Sequence, residues 1–151
     1  MALRNIVTVG DPVLTKVCRP VTKFDDRLAQ LLDDMIETLH DANGAGLAAP
    51  QIGVLRRVVV INTEGEDWEL INPEIVEVSE EQQTGVEGCL SLPGKWGIVT
   101  RPEYAKVRAQ DRNGDWYEYE GEALTARCFL HESDHLDGHM YPEIAEKMLT
   151  Q

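Results

Sequence analysis

The sequence is short of basic residues: 14 Lys+Arg stand against 27 Asp+Glu, a formal charge of −13 at pH 7. Affinity for a phosphate backbone rests on clustered Lys and Arg, so this balance argues against a nucleic-acid binder and equally against docking on anionic lipid. Cysteine is scarce and odd in number. Cys18, Cys89 and Cys128 lie far apart, which reads as reduced thiols rather than a disulfide framework. No apolar stretch of signal-peptide length opens the chain and no window approaches 18 apolar residues, so the expectation is a cytoplasmic protein with no membrane segment. Internal repeats, low-complexity tracts and Pro/Gly/Ser linkers are also missing, which leaves one domain over residues 1–151. With 42% hydrophobic and 27% charged residues, the composition is that of a globular chain and not a disordered one.

Hydrophobic spacing supplies the first elements. From about Asp25 to Ala42, Leu28, Leu31, Leu32, Met35, Ile36 and Leu39 recur at three- and four-residue intervals, a stripe that predicts an amphipathic helix. That helix is expected to end in "NGAG", where Gly44 and Gly46 punctuate the chain. Asp11-Pro12 predicts a short turn of helix ahead of it. Beyond Gly46 the period falls to two. Val58–Ile61 suits a buried strand, and Trp68–Ser79 reads as two short strands broken at Pro73. Tyr104–Gln110 and Trp116–Glu120 alternate around Asn113-Gly114, a hairpin signal. A second helix is predicted from about Ala123 to Leu136, and a short one over Glu143–Thr150. Helix, strands, then helix is an α+β pattern. An N-terminal amphipathic helix is expected beside short antiparallel strands packed around a central helix.

That central helix carries "HESDH", His131 to His135. Residues i and i+4 share one helix face, so His131 and His135 can present two imidazoles to one metal ion, with Glu132 placed to reach a water there. Two helix-surface histidines beside a solvated Glu are the plain alternative. A catalytic metal site takes three protein ligands and an open position. Cys89, in "GVEGCLSLPG", is the third candidate, at a strand end or bend. A lone cysteine is more often a small buried hydrophobe, a reading that suits Cys18 and Cys128 better. "GAGLAAPQIG" (residues 44–53) is neither a Walker nor a dinucleotide loop, because its glycines are wrongly spaced and it lacks the Lys-Ser/Thr ending. Its small residues permit close backbone approach, and Gln51 is a donor of the kind that stabilises an oxyanion.

Taken together and in order, "GAGLAAPQ", "EGCLS" and "HESDHLDG" closely resemble the three signature motifs of peptide deformylases, and the likeness extends over nearly the whole chain. These hydrolases remove the N-formyl group from the initiator methionine of new proteins. The resemblance implies metal ligation by Cys89, His131 and His135, with Glu132 as general acid and base. It implies that the Gln51 side chain and the Leu90 backbone N–H face the developing oxyanion. Gly46 and Glu87 fall where the family contacts the substrate backbone or supports the site. The resemblance also implies a methionine pocket walled partly by Ala45, Leu124, Cys128 and His131. Trp96 lies along the substrate groove where many members carry Arg or Tyr, and Leu130 stands where Gln is frequent. Behind the metal site, Asp134 is expected to pair with Arg101.

The ligand set does not encode the ion: zinc, nickel, cobalt and ferrous iron all accept imidazole and thiolate. The resemblance points to Fe2+ in the cell, with Zn2+, Ni2+ or Co2+ as replacements. The partners it implies are N-formylmethionyl nascent peptides, met by a monomer without nucleic acid or membrane. Many members carry a longer basic C-terminal helix, whereas the tail after Gly138 is acidic to neutral, so any ribosome contact is expected to be transient. Two rivals stay open. A general metalloprotease would share the His-Glu-x-x-His spacing, and a catalytically silent metal- or nascent-chain-binding protein would share the fold.

Overall fold

A computed structural model describes residues 2–150. Asp11 caps a 3-10 turn at Pro12–Thr15, as the Asp-Pro start predicts. Helix α1 (Asp26–Ala42) follows, and the Asp25 carboxylate accepts the Leu28 N–H at its start. Asn43, not a glycine, ends it, in the left-handed region at φ 54°. The strands are β1 (Gly46–Ala48), β2 (Val58–Ile61), β3 (Trp68–Val78), β4 (Gln82–Cys89), β5 (Leu92–Pro102), β6 (Tyr104–Gln110) and β7 (Trp116–Glu122). Helix α2 (Leu124–Leu136) and strand β8 (Lys147–Thr150) complete the order.

All strand pairs are antiparallel, in a five-stranded sheet ordered β1-β2-β3-β6-β7 and a three-stranded sheet ordered β4-β5-β8. The two helices pack on the larger sheet through separate clusters. Val58 and Val60 join Leu28, Leu32 and Met35 of α1, whereas Val59 and Ile61 join Ala126, Phe129 and Leu136 of α2. Helices therefore cover both faces of β2, which is why its sequence runs apolar without alternation. This packing seats α2 between the two sheets. The architecture is α+β, as expected.

Two predicted elements differ. Trp68–Val78 is a single strand: Asn72 turns left-handed at φ 52°, and a register shift between Ile71 and Glu74 absorbs Pro73 as a bulge. The tail is not a helix. A 3-10 turn at Tyr141–Glu143 leads into β8, whose Lys147–Thr150 pairs with Lys95–Ile98 and covers the open edge of β5. No helix among the described residues is long and apolar enough to cross a membrane.

Candidate active site

Three elements meet at one cavity of about 490 Å³. The last residue of β4 is Cys89, just past a register shift between Glu87 and Cys89. This is the strand-end position expected for it, and the shift aims the thiol at α2. From α2 come His131 and His135 on one face. Sγ of Cys89 and one ring nitrogen of each histidine all lie within 4.8 Å of one another, with Sγ 3.4 Å from Nε2 of His135. From the β1 segment, Gln51 sits in a 3-10 turn at Ala49–Ile52, almost fully buried. Its Oε1 accepts the Ala48 N–H at 2.9 Å, which leaves Nε2 to point at Cys89 Sγ (3.5 Å) and Ser91 Oγ (3.2 Å). Its amide orientation is thereby set.

Glu87 organises the wall behind the histidines. One oxygen accepts from His131 Nδ1 at 2.8 Å and from Arg101; the other accepts from Arg101 Nε and Arg127 at 2.5 Å each. A carboxylate on Nδ1 fixes the ring and directs Nε2 towards the ligand cluster. Burial alone would raise the Glu87 pKa, but the His131 and Arg101 hydrogen bonds hold it down at about 2. Arg101 also donates to Asp134 at 3.1 Å, the expected pair. Tyr141, buried in the tail turn, stacks on His131 with centroids 5.8 Å apart.

The carboxylate of Glu132 is buried, and burial, only partly offset by His131, pushes its pKa to about 7. Its Oε1 and the Nδ1 of His135 are buried polar atoms without a hydrogen-bond partner. Burial works against a charged His131, yet Glu132, Cys89 and Glu87 outweigh it and raise that ring to about 10. Burial and the charges of His131 and Arg101 push His135 down to about 3. Two imidazoles and a thiol within 4.8 Å of one another form a donor set suited to a divalent cation, and the Glu132 carboxylate lies beside it, 3.9 Å from His131 Nε2. By contrast, burial pushes the Cys18 and Cys128 thiols up to about 11 and about 12, which fits small buried hydrophobes.

Of the ligand, catalytic and substrate-contact residues proposed from the sequence, all except His135 line this cavity: Ala45, Gly46, Gln51, Glu87, Cys89 and Leu90, with Trp96, Leu124, Cys128, His131 and Glu132. His135 meets it through the ligand cluster. Ser91, Arg127 and Tyr141 had no sequence signal of their own.

The profile of the polypeptide deformylase family matches residues 3–150. The chain belongs to the polypeptide deformylase family. It is 56% identical over 149 residues to a peptide deformylase of Agathobacter rectalis, covering 99% of this chain and 94% of that one. The crystal structure of the peptide deformylase from Thermotoga maritima superposes with a TM-score of 0.93 at 40% identity, over 96% of this chain and 99% of that one. A Synechococcus elongatus peptide deformylase solved in complex with actinonin gives a TM-score of 0.92 at 38% identity, over 95% and 79%. The family is metal-dependent, and its reaction is the removal of the N-formyl group from nascent peptides. That is the reaction of this chain.

Proposed function

We propose that this deformylase works with Glu132 as its general acid and base, beside one divalent ion held by Cys89, His131 and His135. The observation that supports this most is the convergence of three ligand atoms within 4.8 Å next to a buried carboxylate with an unpartnered oxygen. Glu132 takes a proton from the attacking water and delivers it to the departing amine. The Gln51 side-chain N–H and the Leu90 backbone N–H face the formyl oxygen as it gains charge, and losing one such donor costs roughly 10²–10³ in rate. Gly46 flanks the substrate backbone, Glu87 supports the site from behind by holding His131, and Trp96 lines the substrate path. The methionine side chain enters among Ala45, Leu124 and Cys128. When bound, the ion would polarise the formyl oxygen and bring the pKa of a water towards about 7. The formyl carbon bears only hydrogen, so a close-fitting site selects it sterically over acetyl.

Ferrous iron is the proposed ion in the cell, with zinc, nickel or cobalt able to replace it at the same imidazole and thiolate donors. A thiolate ligand and two further unpaired thiols suit the reducing cytoplasm. Protein loaded with ferrous iron under argon is expected to release formate from formyl-Met-Ala-Ser and to leave acetyl-Met-Ala-Ser intact. Cleavage of internal bonds in an unformylated peptide would favour the metalloprotease reading. Metal uptake with no formate release would favour a binding protein.

A further inference from the structure

A cation stands in the wall of the side-chain cavity. Leu124, Arg127 and His131 are spaced i, i+3 and i+7 on α2, so Arg127 lies between Leu124 and the histidine on one helix face. Its side chain is only 8% exposed and lines the cavity. The guanidinium crosses to the three-stranded sheet, where one terminal nitrogen donates to Glu87 and to the Val99 carbonyl (3.1 Å). The other terminal nitrogen reaches Gln83 Oε1 at a long 3.4 Å. It also lies against Gly85, where a Cβ would stand 3.3 Å from it. A guanidinium carries five N–H donors, and these three bonds leave two without a protein acceptor among the described residues. Nε has no protein partner, yet it is not among the sealed, unsatisfied atoms. Nε is thus unpaired and not sealed, on a residue that lines the cavity.

A wall made only for an aliphatic chain gains nothing from a buried cation. We infer that Arg127 is a specificity-determining residue whose spare N–H donors recognise an acceptor atom at the tip of an unbranched side chain. The cavity consequently takes formyl-methionine sulfoxide peptides as a further substrate class. This rests on the proposed function above. A thioether sulfur is a weak acceptor and a sulfoxide oxygen a strong one on the same chain, whereas norleucine offers none. The reaction is unchanged: the formamide C–N bond breaks, the hydroxyl of water goes to formate and the proton to the amine, and the sulfoxide is not reduced. Arg101 and His131 hold Glu87 independently of Arg127, so the two roles separate in a variant.

The test compares kcat/KM of the metal-loaded enzyme on Ala-Ser peptides headed by formyl-Met, formyl-Met sulfoxide and formyl-norleucine. In Arg127→Met the sulfoxide-to-norleucine ratio should fall about tenfold or more, the scale of one charge-assisted hydrogen bond. In Gln83→Leu, which removes the competing acceptor, the same ratio should rise above that of the wild type. A merely structural role for Arg127 would lower all three substrates together and leave the ratio unmoved. An unchanged ratio in Arg127→Met overturns the inference, as does a wild type that turns over formyl-Met but not its sulfoxide. If Arg127→Met is inactive on all three peptides, Gln83→Leu decides, and a ratio no higher than that of the wild type overturns it. Absence of turnover of formyl-Met itself by the wild type would instead defeat the underlying mechanism.

Discussion

Gly46 has no room for a side chain, because Glu132 occupies it: a Cβ there would stand 2.8 Å from Oε2 and 3.0 Å from Cγ of the glutamate. The β1 backbone thus acts as the stop against which the carboxylate rests. Gly46→Ala is expected to push Glu132 off its position, and a displacement near 1 Å costs about 10² in rate. Formate release should fall by that factor while the ion content, measured by elemental analysis, stays at the wild-type level, since the ligands come from β4 and α2. A fully active Gly46→Ala would show that Glu132 tolerates displacement.

Glu87 neutralises two buried guanidiniums and orients His131. Glu87→Ala leaves Arg101 and Arg127 facing each other without their shared anion, and breaking a buried pair of this kind costs about 3–5 kcal/mol. Urea unfolding of the metal-free variant should show that loss. Chelator competition should show an ion held about 10–100-fold more weakly, as is usual when the partner of a ligating histidine is removed. A stable variant with normal ion affinity would contradict the role given to Glu87.

Asp34, buried on α1, accepts from the Ala2 N–H (2.8 Å), Arg4 Nε (2.8 Å) and Gln30 Nε2 (2.7 Å). Burial would raise its pKa, but these three donors and the Arg4 charge lower it below the ordinary carboxylate value. A folded-state pKa below the unfolded one means that the unfolded chain binds the proton more tightly. Its stabilising contribution is therefore complete above the unfolded value of about 4 and disappears as pH falls through the folded value. Asp34→Asn should be less stable than the wild type at pH 7, and the gap should shrink as pH is lowered below about 4. Urea midpoints across that range test this; a gap independent of pH would contradict it.

Ala123, just ahead of α2, sits at φ 53° and ψ −121°, a conformation that disfavours any side chain. Its N–H donates to the Glu103 carbonyl (2.9 Å) and its carbonyl accepts from Gln83 Nε2 (2.8 Å), so neighbours hold it there. Ala123→Gly should raise stability by about 1 kcal/mol, read from the urea midpoint, by relieving that strain.

The parts of the fold legible in the sequence were those held by local pattern. The α1 stripe of leucines and the β-branched run of β2 declare themselves, since a buried face imposes its period on the chain. β4 and β5 carry Gly85, Gly88, Gly94 and Gly97, and their pairing is long-range, so periodicity was silent there. Lys147–Thr150 has no strand signature of its own, and it is the open edge of β5 that makes β8 a strand where the pattern predicts a helix. In the site, His131 and His135 follow from helical spacing alone, whereas Cys89, a candidate by its strand-end setting, is separated from an ordinary buried thiol only by the resemblance of three motifs. Arg127 gave no sign, because a buried arginine and a solvated one look alike until Glu87 is placed beside it.

Formate release by Glu132→Ala tests the acid–base assignment most directly. Loaded with ferrous iron under argon, this variant should bind one ion per chain like the wild type, because Cys89, His131 and His135 are untouched. On formyl-Met-Ala-Ser it should lose roughly 10²–10⁴ in kcat, the contribution of a positioned proton-transfer group. A variant that keeps its ion and hydrolyses the formamide bond of the peptide at close to the wild-type rate would contradict the assignment of Glu132.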